Sequence, residues 1–114
     1  MASAKIPDPL VRRHLIEKEL APAQALKVAE AYLAEGRSVE AVEFLQKAAA
    51  TEQLTELRSE AVGAGDVFLF RAVAVAMADP PQREEWVEVA QNAESAGNLL
   101  YAAEARRLIE VGGI

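Results

Sequence analysis

The side chains that could do chemistry in this 114-residue chain are one histidine and several clusters of glutamate, since there is no cysteine. His14 is a residue type that can carry a proton near neutral pH. No serine, cysteine or second histidine lies near it in the sequence to form a nucleophile pair. One histidine without cysteine also leaves too few ligands for a zinc centre. We therefore expect no metal, no cofactor and no catalytic residue in this chain.

The glutamates are the second candidate for chemistry, as acid–base pairs or as ligands of a hard cation. They recur on the polar side of amphipathic helical patterns, where a solvated helix face explains them better. They are Glu30, Glu35, Glu40 and Glu43 in one stretch and Glu84, Glu85 and Glu88 in another. We expect a non-enzyme, with a small carboxylate-based helical enzyme as the least favoured alternative.

Charge and hydropathy exclude two further classes of partner. With 12 basic and 18 acidic residues the chain carries a net charge of −6, so it lacks the positive excess that binding to a phosphate backbone uses. The first residues lack the apolar stretch of a secretion signal. The longest apolar run, Val67 to Ala78, is interrupted by Arg71 and is too short to span a bilayer. We expect a soluble, cytoplasmic protein that binds neither nucleic acid nor membrane.

Capping and stop signals divide the chain into seven predicted helices. Asp8 and Asp66 suit helix starts, as do Pro9, Pro22 and Ser38. Glycines end three of the helices. The first helix should run to about Leu20, and the apolar run Val67 to Ala78 is read as a helix because of its length and alanine content. Residues 1–7 are predicted to be a flexible tail before a single helical-repeat domain, residues 8–114.

The stop signals recur with a regular interval. Gly36, Gly65 and Gly97 are 29 and 32 residues apart, a period typical of repeated helix pairs. Small residues lie seven before and five after two of these glycines, and they would let paired helices approach closely. These residues are Ala29 and Ala41 in one pair and Ala90 and Ala102 in the other.

In these features the chain resembles the tetratricopeptide repeat family. The stretch Ala25 to Ala48 matches the family pattern closely, and a later unit matches through Trp86, although Arg106 stands where a large apolar residue is expected. The middle unit departs most, because Arg58 and Phe70 occupy its two small-residue positions. Its helix pair should therefore be shifted in register or cross more widely.

The resemblance covers about residues 22–110 and implies an all-α fold. It implies an α-solenoid of about three antiparallel helical hairpins, preceded by one helix. The hairpins are expected at about residues 22–50, 53–79 and 81–110.

The family's mode of action implies a non-catalytic adaptor or scaffold. In that family the first helix of each hairpin lines a concave groove that receives a peptide or a helix of a partner protein. The groove here would be acidic with apolar patches, so we expect a basic or amphipathic partner segment. The positions carried over are Ala23, Leu26, Glu30, Leu33, Glu52, Thr55, Ser59, Val62, Glu84, Val87, Gln91 and Glu94.

A second interpretation starts from the last predicted helix, which has more apolar residues than one covered side needs. Repeat arrays require a polar cap at their ends, and none follows here. Either the chain is a fragment, or this end pairs with a second copy, giving a homodimer, or with a partner, as a structural or regulatory part of a larger complex. The residues proposed for this contact are Leu99, Leu100, Leu108 and Ile109.

Overall fold

The computed structural model describes residues 6–112, and every regular element in that range is an α-helix. The seven predicted helices are confirmed. They are α1 (Pro9–Glu17), α2 (Pro22–Ala34), α3 (Ser38–Lys47), α4 (Thr51–Ala64), α5 (Val67–Met77), α6 (Arg83–Ser95) and α7 (Leu99–Glu110). Most of the predicted N-terminal tail lies outside the described residues, and its last two residues, Ile6 and Pro7, come before Asp8, which caps α1.

Side-chain caps start several of the helices. The Asp8 Oδ1 accepts a hydrogen bond of 3.0 Å from the Val11 amide, and the Asp66 Oδ1 accepts one of 3.1 Å from the Leu69 amide. Both predicted caps are therefore confirmed. At α3 the residue in the cap position is Arg37, and Ser38 is the first helical residue.

The first helix is shorter than the sequence predicts. It ends at Glu17 instead of about Leu20, and Lys18 already has an extended backbone. None of the residues of α1 is buried. Because tertiary packing supplies most of the stability of a short helix, little holds a further turn in place.

Five consecutive helices, α2 to α6, end in the same turn. The first or second residue after the helix end has a left-handed backbone, and the amide that follows it donates to the carbonyl five residues earlier, at 2.9 to 3.1 Å. This hydrogen-bond pattern is the Schellman motif. The left-handed residues are Gly36, Ala49, Gly65, Ala78 and Gly97. The helix ends predicted at the glycines are thus confirmed, whereas the left-handed conformation of the two alanines was not predicted.

The chain forms two compact units, Met1–Leu54 and Thr55–Ile114. In the N-terminal unit α2 packs along α3, with Ala29 and Ala41 fully buried. The Tyr32 and Phe44 rings stack with their centroids 5.9 Å apart. Arg12 attaches α1 to this pair, because its guanidinium lies 5.4 Å from the Tyr32 ring centroid and donates to the Glu40 carbonyl at 3.0 Å.

In the C-terminal unit α6 packs along α7, and α5 also contacts α7. Ala90 and Ala102 are buried, as the repeat pattern predicts for close helix pairs. In its core the rings of Trp86 and Phe70 meet edge to face, with centroids 4.9 Å apart. Both side chains are fully buried.

The two bulky residues at the predicted small positions of the middle helix pair contact each other. The Arg58 guanidinium lies 5.2 Å from the centroid of the Phe70 ring, in a cation–π arrangement. Arg58 is only 9% exposed and Phe70 is fully buried. Arg58 of α4 and Phe70 of α5 thus pack directly against each other in the C-terminal unit.

Candidate functional site

The twelve predicted groove positions all belong to α2, α4 and α6, and none of them is buried. Leu26, Leu33, Val62 and Val87 are half-buried, and the other eight are exposed. Ala23, Leu26, Glu30, Leu33 and Glu52 lie in the N-terminal unit, and the remaining seven lie in the C-terminal unit. Their exposure leaves these positions open to a partner within each unit.

The C-terminal unit brings α4 and α6 side by side. The Asn92 Nδ2 donates a hydrogen bond of 2.7 Å to the Val62 carbonyl. Near the start of α6, the Arg58 guanidinium donates to both carboxylate oxygens of Glu85, at 2.9 and 3.0 Å. These two contacts hold the helices together at two levels.

The predicted positions of this unit are therefore on neighbouring helices. We define the α4/α6 face by Thr55, Ser59 and Val62 of α4 and Glu84, Val87, Gln91 and Glu94 of α6. It combines two half-buried valines with polar and acidic side chains. A surface of this mixed kind can bind a peptide through apolar contact and charge together.

The acidic residues of the predicted groove differ in their partners. Glu94 forms an ion pair with Arg106 of α7, which reduces its charge toward a ligand. Among the described residues, no ion pair is formed by Glu30, Glu52 or Glu84, all of which are exposed. The repeat pattern predicts a large apolar side chain at position 106, and Arg106 instead pairs with a carboxylate of α6.

A polar cluster of this unit that was not predicted from the sequence is centred on Arg58. Besides Glu85, Arg58 donates to the Asp79 carbonyl at 3.0 Å. The hydrogen bonds from Arg58 hold the pKa of Glu85 below its ordinary value of 4.5, and the Gln82 amide, at 2.9 Å, lowers it further. Arg58 thereby ties together α4, the loop before α6 and the first turn of α6. The signal for it was an arginine at a position where the repeat pattern predicts a small residue.

Outside the Arg58 cluster, the residues considered for catalysis are exposed or paired with an arginine. His14 is exposed on α1. Glu40 accepts two hydrogen bonds of 2.6 Å from Arg37, which lower its pKa. No group of three or more histidine and acidic side chains that could hold a metal ion occurs in residues 6–112. No described helix is long and apolar enough to cross a membrane.

The four residues predicted for self-association do not form one surface. Leu99 and Leu100 are 68% and 83% exposed, whereas Leu108 is 1% exposed. Ile109 is half-buried. Leu108 is therefore a core residue of the C-terminal unit, because it faces inward on α7, and only Leu99 and Leu100 remain fully available to a partner.

Comparisons with protein-family models, with curated proteins and with solved structures find no match to this chain. The geometry of the chain itself is therefore the basis for proposing a function. Its most informative part is the α4/α6 face. The two helices are hydrogen-bonded to each other there and carry both polar and apolar side chains that solvent reaches.

Proposed function

We propose that this protein is a non-catalytic protein-interaction module, a tetratricopeptide-like α-solenoid that binds a basic or amphipathic segment of a partner protein. The observation that carries the proposal is the α4/α6 face. Two helices bonded to each other present half-buried valines and an unpaired acid to solvent. A peptide lying along this face would cover Val62 and Val87 and place a basic side chain beside Glu84.

Contacts between residues about one period apart support the solenoid part of the proposal. In the C-terminal unit Arg58 binds Glu85, 27 positions later, and Asn92 binds the Val62 carbonyl, 30 positions earlier. In the N-terminal unit Arg12 binds the Glu40 carbonyl, 28 positions later. Repeat proteins are built from such contacts between each repeat and the next.

The chemistry of the partner follows from the charge of the face. Glu84 is exposed and unpaired within the described residues, and the whole chain carries a net charge of −6. Complementary charge speeds association and sets specificity. Apolar contact with Val62 and Val87 adds affinity that salt does not remove, so an amphipathic basic segment fits better than a uniformly basic one.

A peptide selection tests this function. The immobilised chain is used to enrich sequences from a random peptide library, and we expect the enriched peptides to carry net positive charge and regularly spaced apolar residues. Glu84→Lys should weaken a selected peptide by roughly two- to fivefold at low salt, the range of a single exposed charge contact.

Glu110→Lys is the matched control, because Glu110 is an exposed acid of α7 outside the face. It should leave the affinity unchanged. Thermal melts of both variants establish that they remain folded. Enrichment of acidic peptides, or of none, would contradict the proposal, as would equal effects of the two charge reversals.

A further inference from the structure

Two of the eight arginines of this chain have no acidic partner among residues 6–112. The other six each form an ion pair with a glutamate. The two exceptions are Arg71 of α5 and Arg83 of α6, and both are exposed. A carboxylate is the group that a guanidinium binds best. These two side chains can therefore bind an anion from outside the chain.

The two arginines line adjoining depressions in the surface of the C-terminal unit. Arg71 lines a cleft of about 400 Å³, and Arg83 lines a recess of about 140 Å³. The cleft and the recess share two lining residues, Pro81 and Gly112. A cleft of this size accommodates a small molecule. Both arginines without an acidic partner thus lie where a small molecule can bind.

Most of the cleft lining is apolar. Val75 is 74% exposed, so its side chain is available for contact with a ligand. Pro80 and Pro81 have a fixed φ, so this part of the wall is ordered before a ligand binds. The apolar lining consists of Ala74, Val75 and Ala78 at the end of α5 with Pro80 and Pro81 of the following loop. Such a wall favours a ligand with an apolar body.

The acids near Arg71 are engaged with other arginines. Asp79, which also lines the cleft, has a carboxylate oxygen 3.6 Å from the Arg58 guanidinium. Glu104 accepts hydrogen bonds of 2.7 and 3.0 Å from Arg107, one on each carboxylate oxygen. These bonds are the main cause of the low pKa of Glu104, and the charge of Arg71 lowers that pKa further. Arg71 thus interacts with Glu104 through its charge but keeps its hydrogen-bond donors for a ligand.

We infer that this cleft binds a small amphipathic carboxylate of the class of the medium-chain fatty acids. The ligand carboxylate accepts hydrogen bonds from Arg71, whose planar guanidinium matches two carboxylate oxygens. The apolar chain of the ligand lies along Val75 and Pro81, and Arg83 adds positive charge beside the cleft. This site takes a ligand of the opposite charge to the one proposed for the α4/α6 face.

Titration with three small molecules, followed by amide NMR, tests the inference. Decanoate has both the charge and the apolar chain, decanol lacks the charge, and butyrate lacks most of the chain. We expect saturable binding of decanoate below the concentration at which it forms micelles. Decanol should bind roughly tenfold more weakly, and butyrate should not bind measurably. The largest shift changes with decanoate should fall on Ala74, Val75, Ala78 and Gly112.

Two variants separate the charge of the site from its apolar wall. Arg71→Gln should weaken decanoate by roughly tenfold and leave decanol unchanged. Val75→Ser should weaken both ligands by a similar factor. Arg13→Gln is the matched control, because Arg13 is an exposed arginine of α1 outside the cleft, and it should bind both ligands as the parent does. Thermal melts establish that all three variants remain folded.

Three results would overturn the inference. The first is the absence of saturable decanoate binding. The second is binding of decanol as tight as that of decanoate, or equal losses of decanoate affinity in Arg71→Gln and Arg13→Gln, since either would show that Arg71 does not hold the carboxylate. The third is a set of shift changes that falls outside the cleft.

Discussion

Gly65 is the left-handed glycine at which an added side chain would collide with its neighbours. A Cβ atom there would lie 2.3 Å from the Ala93 backbone nitrogen and 2.5 Å from its Cα, and the backbone of Gly65 is left-handed, with φ of +68°. Gly36 and Gly97 are also left-handed, at +72° and +80°, but a Cβ would meet nothing within 4 Å at either. Only Gly65 combines an unusual backbone with a close approach of α6.

The three glycines therefore give a graded prediction for substitution by alanine. Gly36→Ala and Gly97→Ala should each lower the unfolding free energy by about 1–2 kcal/mol, the cost of a left-handed alanine. Gly65→Ala should cost more, on the order of 3 kcal/mol or above, because backbone must move. Urea unfolding measures all three, and equal losses would show that α4 and α6 are not packed this closely.

The ion pair of Arg58 and Glu85 predicts a specific dependence of stability on pH. The hydrogen bonds from Arg58 lower the folded-state pKa of Glu85 below 4.5. The unfolded chain therefore takes up the proton first as the pH falls. The stabilisation from this pair is complete above the unfolded-state pKa and is lost as the pH falls through the lower, folded-state value.

Glu85→Gln removes the titrating group, so the unfolding free energy of this variant should change less between about pH 5 and about pH 3 than that of the parent chain. Glu110→Gln is the control, because Glu110 is exposed and forms no ion pair within the described residues. It should retain the parent's pH dependence. A Glu85→Gln curve parallel to that of the parent would contradict the role of this pair.

At the scale of single helices, the turn shared by the ends of α2 to α6 is the main constraint on the backbone. Ala49 and Ala78 each have φ of +53°, a conformation that costs an L-residue roughly 1–2 kcal/mol. Both alanines are exposed, so replacing either of them by glycine would leave no cavity. The hydrogen bonds of the Schellman turn maintain this conformation despite its cost.

Ala49→Gly and Ala78→Gly should therefore stabilise the protein, by about 1 kcal/mol each. Ala103→Gly is the opposite control, since Ala103 is exposed within α7, and it should destabilise by roughly 0.5–1 kcal/mol. Thermal melting temperatures measure the difference in sign. A loss of stability at Ala49 equal to that at Ala103 would contradict the left-handed turns.

The predictability of these elements depends on whether a residue type has its own conformational preference. Asp8, Asp66 and the three glycines do, and the helix ends they mark were predicted correctly. Ala49 and Ala78 do not, because alanine favours a continuing helix and only the hydrogen bonds of the folded turn impose the left-handed backbone. The early end of α1 was missed because it reflects absent packing, which no local pattern records.

The candidate site was predictable in part, for a related reason. The resemblance to the repeat family assigned positions such as Ser59 and Gln91 to a surface, and both are exposed. The pairing of Glu94 with Arg106 was not predictable from periodicity, because it depends on how α6 packs against α7. The Arg58–Glu85 pair was missed because it joins residues 27 positions apart.

At the scale of the whole molecule, the proposed binding function rests on charge and exposed surface. The net charge of −6 acts together with the unpaired Glu84 on the α4/α6 face, whereas the arginines Arg58 and Arg106 are engaged with carboxylates of the chain.

The most direct test of the central claim is NMR mapping of the chain during titration with a basic amphipathic peptide enriched in the selection. If the peptide binds to the α4/α6 face, we expect the largest changes in amide chemical shift at Thr55, Ser59, Val62, Val87 and Gln91. The amides of α5 should change little. Changes concentrated on α5 and α7, or no saturable change, would contradict it.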